Sequence, residues 1–224
     1  MNTKYLFTLT LFISILFQVI IGAIDFITLF TNVPSKATLL KELLVFEIIV
    51  QVIEGIFYIW LYHNFTKVKN ITPHRYIDWF ITTPTMLVIL IFYLIYLKKG
   101  STQQLDFFTL LKENSISITQ ILLLNWIMLL FGYLGEMKII PVMLSIFLGF
   151  IPFLIYYYMI YVNYLTNNPT GYIYFWSFFI FWSFYGLAAA LPYYIKNACY
   201  NILDLFAKNL IGLFLSYIII FKQY

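Results

Sequence analysis

The chain alternates long apolar runs with short polar interruptions. Runs of about 20 apolar residues are long enough to cross a bilayer as helices, and approximately residues 5–31, 41–63, 75–97, 117–135, 138–163, 170–195 and 197–221 form such runs. The connections are short, which predicts an all-α integral membrane protein. Residues 1–224 are expected to form a single bundle of seven transmembrane helices, with no separate soluble catalytic or nucleic-acid-binding domain. The first run could pass for a secretion signal. Gln18 and Asp25 interrupt it, however, and no clear small-residue cleavage site follows, so it reads as helix one.

Composition narrows the class. The chain is 63% hydrophobic and 10% charged, against about 25% charge in a soluble domain, so its environment is the lipid bilayer. The net charge of +4 is small and scattered and gives no reason to expect nucleic acid. Cys199 is the single cysteine, which excludes an intramolecular disulfide and a cysteine metal site. No zinc-ligand spacing, phosphate-cradling glycine loop or serine nucleophile motif is present, so neither a metal site nor enzymatic activity is expected. Lys36, Lys41, Lys98, Lys99, Lys112 and Lys222 fall on one side of the bundle. Lys4, Lys67, Lys69, Arg75, Lys138 and Lys196 fall on the other, so the positive-inside rule gives no orientation. Two sequons, Asn64-Phe-Thr66 and Asn70-Ile-Thr72, favour an extracellular N-terminus in a eukaryotic host.

The informative residues are the polar ones inside the apolar runs. Lys208 lies deep in the last run, with Asp204 one helical turn before it. A charge at a membrane helix centre costs roughly 2.5–3.5 kcal/mol on insertion scales, which makes it a functional position by default. A lysine amine can also condense with an aldehyde. The third run carries Arg75-Tyr-Ile-Asp78-Trp79-Phe-Ile-Thr82-Thr83-Pro84, in which Asp78 and Thr82 share a face. The second run carries Glu47, Gln51, Glu54 and Tyr58 within a wedge of about 60°. Lipid does not accept such a stripe, so it faces the bundle interior, either as an ion route or as protonated and hydrogen-bonded glue between helices. His63 and His74 read as solvated, Asp25 as close to the end of helix one, and Asp106, Glu113 and Glu136 as loop charges.

These motifs resemble those of the microbial (type I) rhodopsins, seven-helix proteins that bind all-trans retinal covalently. Arg75-Tyr-x-Asp78-Trp79-x-x-Thr82-Thr83-Pro84 is similar to their helix-three signature, Asp204-x-x-x-Lys208 to their helix-seven motif, and Trp182-Ser183-Phe184-Tyr185 to their helix-six pocket. The resemblance implies a protonated Schiff base on Lys208, with Asp78, Asp204, Arg75 and Thr82 as its counterion complex. A carboxylate about 4 Å away is worth roughly 4 kcal/mol to such a cation at an effective dielectric of about 20. It further implies a pocket of Trp79, Thr83, Met86, Met128, Gly132, Trp182, Tyr185 and Ala207, with the two tryptophans sandwiching the polyene.

Several positions depart from the family's outward proton pumps. Ile89 stands where they keep a carboxylate donor, and no glutamate pair for proton release occurs around Pro192-Tyr-Tyr-Ile-Lys196. Gly186 replaces a helix-six proline, and Ala189 replaces a second pocket aromatic. The helix-two ladder instead resembles channelrhodopsins, most closely the small channel-type rhodopsins of giant viruses that infect algae and other protists. That likeness implies a light-gated cation channel lined by Ser14, Glu47, Gln51, Glu54, Tyr58, Asn125, Asn201 and Asn209. Ser14, Glu54 and Asn209 are expected as a central constriction, and Thr83 with Asn125 as a gate pair. Replacing Glu54 is expected to alter selectivity or gating with little effect on colour. Monovalent cations and protons are the implied partners, a homo-oligomer is compatible with the reading, and the location is a host cell membrane if the source is viral. An outward proton pump and a sensory rhodopsin are the alternatives.

Overall fold

The computed structural model describes residues 2–99 and 103–224. Among them there are helices and no strands. The helices are α1 (Thr3–Thr28), α2 (Thr38–Asn64), α3 (Thr72–Lys99), α4 (Phe107–Glu113), α5 (Ser115–Glu136), α6 (Val142–Ile160), α7 (Tyr172–Ala188), α8 (Tyr193–Asp204) and α9 (Leu210–Ile220). A π-helical turn, Leu205–Asn209, joins α8 to α9, and the three together form the last membrane span. Six spans are long and apolar enough to cross a bilayer. The remaining one is α7, whose 17 residues are led in by a 3₁₀ turn at Pro169–Gly171. Consecutive spans pack side by side, and α1 closes the ring against α8 and α9.

Helix boundaries differ from the sequence reading chiefly at the end of the chain. The sixth helix stops at Ala188, not near residue 195, because Pro192 caps the start of the next helix and cannot continue the previous one. The last span therefore begins at Tyr193. The segment before α5 contains α4, which the sequence reading did not anticipate. Asp106 caps it by accepting from the backbone N–H and the hydroxyl of Thr109, both at 2.8 Å. Those bonds, the backbone one first, hold the Asp106 carboxyl below the usual range. Phe107 then stacks on Phe46 of α2 at 4.1 Å, and its N–H donates to Glu42.

The bundle is polar inside and apolar outside along α2. Glu47 and Glu54 are fully buried, whereas Val52 and Ile56 on the opposite face are more than half exposed, as expected for a surface that meets lipid. Within α3, Pro84 leaves the Phe80 carbonyl without its helical donor. The indole N–H of Trp126 on α5 takes that place at 3.0 Å, and the two rings stack at 5.3 Å. The proline therefore ties α3 to α5 beside the site.

Glu136 is a correction to the sequence reading. It is buried at the end of α5, where Lys196 of α8 donates to it at 2.5 Å. His74, half-buried, stacks on Trp60 at 4.6 Å, while His63 is exposed. In the second sequon, Thr72 is buried and accepts from Asn197 at 3.0 Å. Removing one partner of the Glu136–Lys196 pair strands the other's charge. Glu136→Ala should lower stability by about 1–3 kcal/mol, read as a lower midpoint for thermal loss of the native state. Pairing it with Lys196→Met should restore part of that loss in a double-mutant cycle.

Candidate functional site

Lys208 sits in the π-helical turn that interrupts the last span. A π turn adds a residue to one helical turn and re-aims the side chains around it. Its Nζ lies 2.7 Å from Asp78 Oδ2, 3.5 Å from Asp204 Oδ1 and 3.8 Å from Glu54 Oε1, and all four side chains are buried. Three carboxyls from α2, α3 and α8 thus converge on one amine. A buried amine is tolerated in such a place only with opposite charge at contact distance.

Arg75 supplies the second buried cation. Its guanidinium meets Asp204 Oδ2 at 3.1 Å and donates to Asn197 and to the Asn201 side chain. The rings of Phe57, Tyr58 and Tyr200 surround it at 5.4–5.8 Å. Asp204 also accepts from Tyr58 at 2.8 Å and from Tyr185 at 2.7 Å, so α2, α3 and α7 all bond to it. Arg75 pairs with Asp204, and the direct cationic partner of Asp78 is Lys208. Thr82 donates to the Asp78 backbone carbonyl at 3.0 Å, which fixes the local helix and leaves the Asp78 carboxyl to Lys208.

A cavity lined by Lys208 and by Trp79 and Trp182 adjoins the carboxyl cluster. Thr83, Met86, Met128, Gly132, Tyr185 and Ala207, all anticipated from the sequence, line it. Tyr76, Leu129, Gly186, Ala189 and Tyr200 line it as well. The first two and the last escaped the sequence reading, because aromatic and leucine positions in so apolar a chain read as packing. A Cβ at Gly132 would meet the Tyr76 hydroxyl and ring, so glycine makes room for that side chain in the cavity wall. The lining is mostly apolar and Lys208 is its one charged residue, which suits a long apolar molecule joined to the protein at one end.

The helix-two residues are buried as the stripe predicted, but their partners are partly different. Asn209 donates to Glu54 Oε2 at 2.9 Å, and Asn125 donates to the Thr83 hydroxyl at 2.8 Å. Ser14 is not the third member of the Glu54–Asn209 pair: it donates to the Asn201 carbonyl at 2.8 Å. The reason is its height on α1, level with Asn201 of α8, since Thr10 one turn earlier accepts from the Asn201 amide. Gln51 donates to Asp25 at 2.6 Å. Asp25 does lie in the last turn of α1 but is fully buried, and Ser216 of α9 donates to its other oxygen at 2.6 Å. The interruption of an apolar run at Asp25 was the available signal for it.

The sequence matches the family described as bacteriorhodopsin-like protein over residues 6–221, and the chain belongs to that family. It is a microbial rhodopsin, a multi-pass membrane protein of a family that binds retinal through a Schiff base on a lysine; Lys208 is the lysine that lines the cavity described above. Among solved structures it is similar to viral rhodopsin OLPVRII, with 26% identity over 100% of both chains and a TM-score of 0.82. It shares its fold with blue light-absorbing proteorhodopsin from Med12 (20% identity, 98% of each chain, TM-score 0.76). The same holds for xanthorhodopsin, described as a light-driven ion pump with dual chromophore (18% identity, 99% of this chain and 94% of that one, TM-score 0.76). Comparison with curated protein sequences gave no match.

The site yields a direct check. Lys208→Ala should remove all visible absorption after retinal addition; a band near that of the parent protein would refute the assignment. Asp78→Asn removes the carboxylate at 2.7 Å, an attraction of about 4 kcal/mol for a charge pair at 4 Å and an effective dielectric of about 20. Absorption spectra of that variant should show a maximum moved to longer wavelength, because the positive charge at the nitrogen is then less localised.

Proposed function

We propose that this protein is a light-gated cation channel. The observation that carries this reading is the buried polar seam along α2. Glu47, Gln51, Glu54 and Tyr58 occupy one face of that helix, and α1 and the last span meet it with Ser14, Gln18, Asp25, Asn201, Asn209 and Ser216. Carboxyl oxygens in series repel anions and replace part of a cation's hydration shell. Glu54 sits at the midpoint, bonded to Asn209 and 3.8 Å from Lys208. It is therefore poised to couple events at the lysine to the state of the seam.

Retinal on Lys208 supplies light absorption and a change of shape. The chain's own residues do the rest. Trp79 and Trp182 confine the cavity, Asp78 stands ready to accept a proton from the Lys208 nitrogen, and Arg75 and two tyrosines hold Asp204 in place. A loss of positive charge at that nitrogen weakens its hold on Glu54, and the Glu54–Asn209 bond is then free to rearrange. The extracellular placement of the N-terminus belongs to the same reading, resting on the sequon asparagines Asn64 and Asn70 at the α2–α3 connection, although Thr72 of the second sequon is buried.

An outward proton pump is the second reading, favoured by the 2.7 Å contact between Lys208 and Asp78 and by the pump activity named for xanthorhodopsin. Against it, the buried stretch of α3 from Met86 to Ile95 offers no carboxyl to return a proton, with Ile89 among its residues, so a pump would have to draw that proton from a helix-two glutamate. Whole-cell voltage clamp under illumination separates the two. A photocurrent that reverses sign with voltage and follows the cation gradient supports a channel. Current that stays outward at every potential establishes a pump.

The 3.8 Å separation also changes what replacing Glu54 should do. Glu54→Gln is expected to alter the relative permeability of cations or the closing rate. It should in addition shift the absorption maximum, contrary to the small colour effect expected when Glu54 is placed apart from the lysine. Unchanged reversal potentials and kinetics would remove Glu54 from the conduction path.

A further inference from the structure

A groove on the outside of the bundle, between α3 and α5, belongs to neither the retinal cavity nor the polar seam. One part of it is apolar, lined by Ile77, Phe80, Ile81, Trp126 and Leu130. Pro73, Ile77 and Tyr133 carry it without a break into a polar pocket at the end of the bundle where α3 begins and α5 ends. Lys69 from the α2–α3 connection, Lys138 just after α5 and Lys196 in the first turn of α8 line that pocket. Glu136 is its one acid, and Lys196 already takes it up at 2.5 Å. Lys69 and Lys138 are exposed, and neither has a carboxylate partner among the described residues.

Lys138 stands in a backbone position that favours glycine. Its φ is 59°, and it closes α5 in a Schellman motif. Ile139 N–H donates to the Leu134 carbonyl at 2.9 Å, and Lys138 N–H donates to the Gly135 carbonyl at 3.0 Å. A Cβ is disfavoured in that left-handed conformation, so a charge is held there against the preference of the backbone, as happens at functional positions. The charges elsewhere restrict what can meet it. Of the nine acidic residues, Asp25, Glu47, Glu54, Asp78 and Asp204 are buried in the bundle and Glu136 is paired. Glu42, Asp106 and Glu113 lie at the opposite end, at the start of α2 and around α4. A second copy of this chain therefore has no free carboxylate to bring to these lysines, and an occupant must carry its own negative charge.

We infer that this groove binds one anionic phospholipid, its headgroup in the lysine pocket and an acyl chain along α3 and α5. From Pro73 to Ile81 the groove follows α3 for about 12 Å, most of the roughly 15 Å of hydrocarbon in one leaflet. Ile77, Phe80, Ile81 and Leu130 are each about half exposed or more, which leaves their side chains free to meet the chain. Tyr133 lines both parts, and a ring with a polar tip is favoured at the level of the headgroups. The acyl chain lies against Phe80 and Trp126, the stacked pair in which the indole N–H caps the carbonyl freed by Pro84. An occupied groove thus braces the α3 kink from the lipid side. The site depends on neither retinal chemistry nor ion conduction, and its place is the same for either orientation of the chain.

Native mass spectrometry of the detergent-purified protein tests the site, with dioleoyl phosphatidylglycerol and dioleoyl phosphatidylcholine as equimolar probes. The parent protein should retain one phosphatidylglycerol in preference to phosphatidylcholine. A lysine near an anionic headgroup is worth roughly fivefold in affinity, so Lys69→Gln combined with Lys138→Gln should weaken phosphatidylglycerol binding by roughly 25-fold. Lys138→Gly removes one charge but suits the left-handed backbone, so it should lose roughly fivefold in binding with no fall in thermal midpoint. Ile77→Trp fills the apolar part and should weaken binding with every lysine in place. Equal retention of the two lipids by the parent overturns the inference, as does undiminished phosphatidylglycerol binding in the double variant or in Ile77→Trp. Glycerol 3-phosphate carries the charge without the chains; if it displaces the lipid at the lipid's own concentration, the groove is a bare anion site and the inference fails. A dimer that forms in place of the lipid-bound monomer would make the groove an interface between copies, and overturns it equally.

Discussion

The bundle is organised around two cations that lipid would otherwise expel. Lys208 and Arg75 are both buried, and each needs opposite charge at contact distance. Asp78 answers the first and Asp204 lies between the two, bonded to Arg75 and 3.5 Å from Lys208. Asp204 cannot hold that position by itself. Tyr58 from α2 and Tyr185 from α7 donate to it, and Asn197 and Asn201 take up the remaining guanidinium donors. Most of the polar contacts at the middle of the membrane follow from satisfying these two charges.

Charge balance then gives Glu54 its importance. Two cations and two aspartates close the account, and Glu54 is a third carboxyl at the same centre. Its Oε2 is held by Asn209, while its Oε1 has no hydrogen-bond partner and only the distant pull of Lys208. A group this incompletely satisfied responds to any change of charge on the amine, whereas Asp204, with its several donors, does not. In the channel we propose, that asymmetry is what couples the lysine to the seam.

Much of the site was legible in the chain because intramembrane polar residues are few and each needs a reason. Lys208, Asp78, Asp204 and Arg75 stand out for that reason alone, and the wedge of Glu47, Gln51, Glu54 and Tyr58 follows from helical periodicity. What stayed hidden depends on three-dimensional detail. A π-helical turn at Leu205–Asn209 leaves no mark in the residue pattern, yet it sets which side chains Lys208 and Asn209 meet. The height of α1 against α8 placed Ser14 beside Asn201, a choice no single-helix argument can make. Asp25 looked terminal because it does lie in the last turn of α1, which ends at Thr28, yet its carboxyl turns inward against Gly212. Tyr76 and Tyr200 were lost among many aromatic residues.

The two halves of the bundle treat polarity differently, and α3 shows why. On the Arg75 side of Pro84 its inward face is charged and hydroxylated. Beyond Pro84 the buried run from Met86 to Ile95 is almost wholly apolar. Trp126 of α5 caps the carbonyl that Pro84 frees, and Asn125 holds Thr83, so that boundary is fixed from the neighbouring helix. Polar groups able to bind or pass a proton or cation beyond the lysine are therefore concentrated on α1, α2 and α9, at Asp25, Glu47, Gln51 and Ser216. A charge leaving the Lys208 centre in that direction meets oxygen ligands along α2 and hydrocarbon along α3. The lower electrostatic cost lies along α2, where Glu54 already touches the centre.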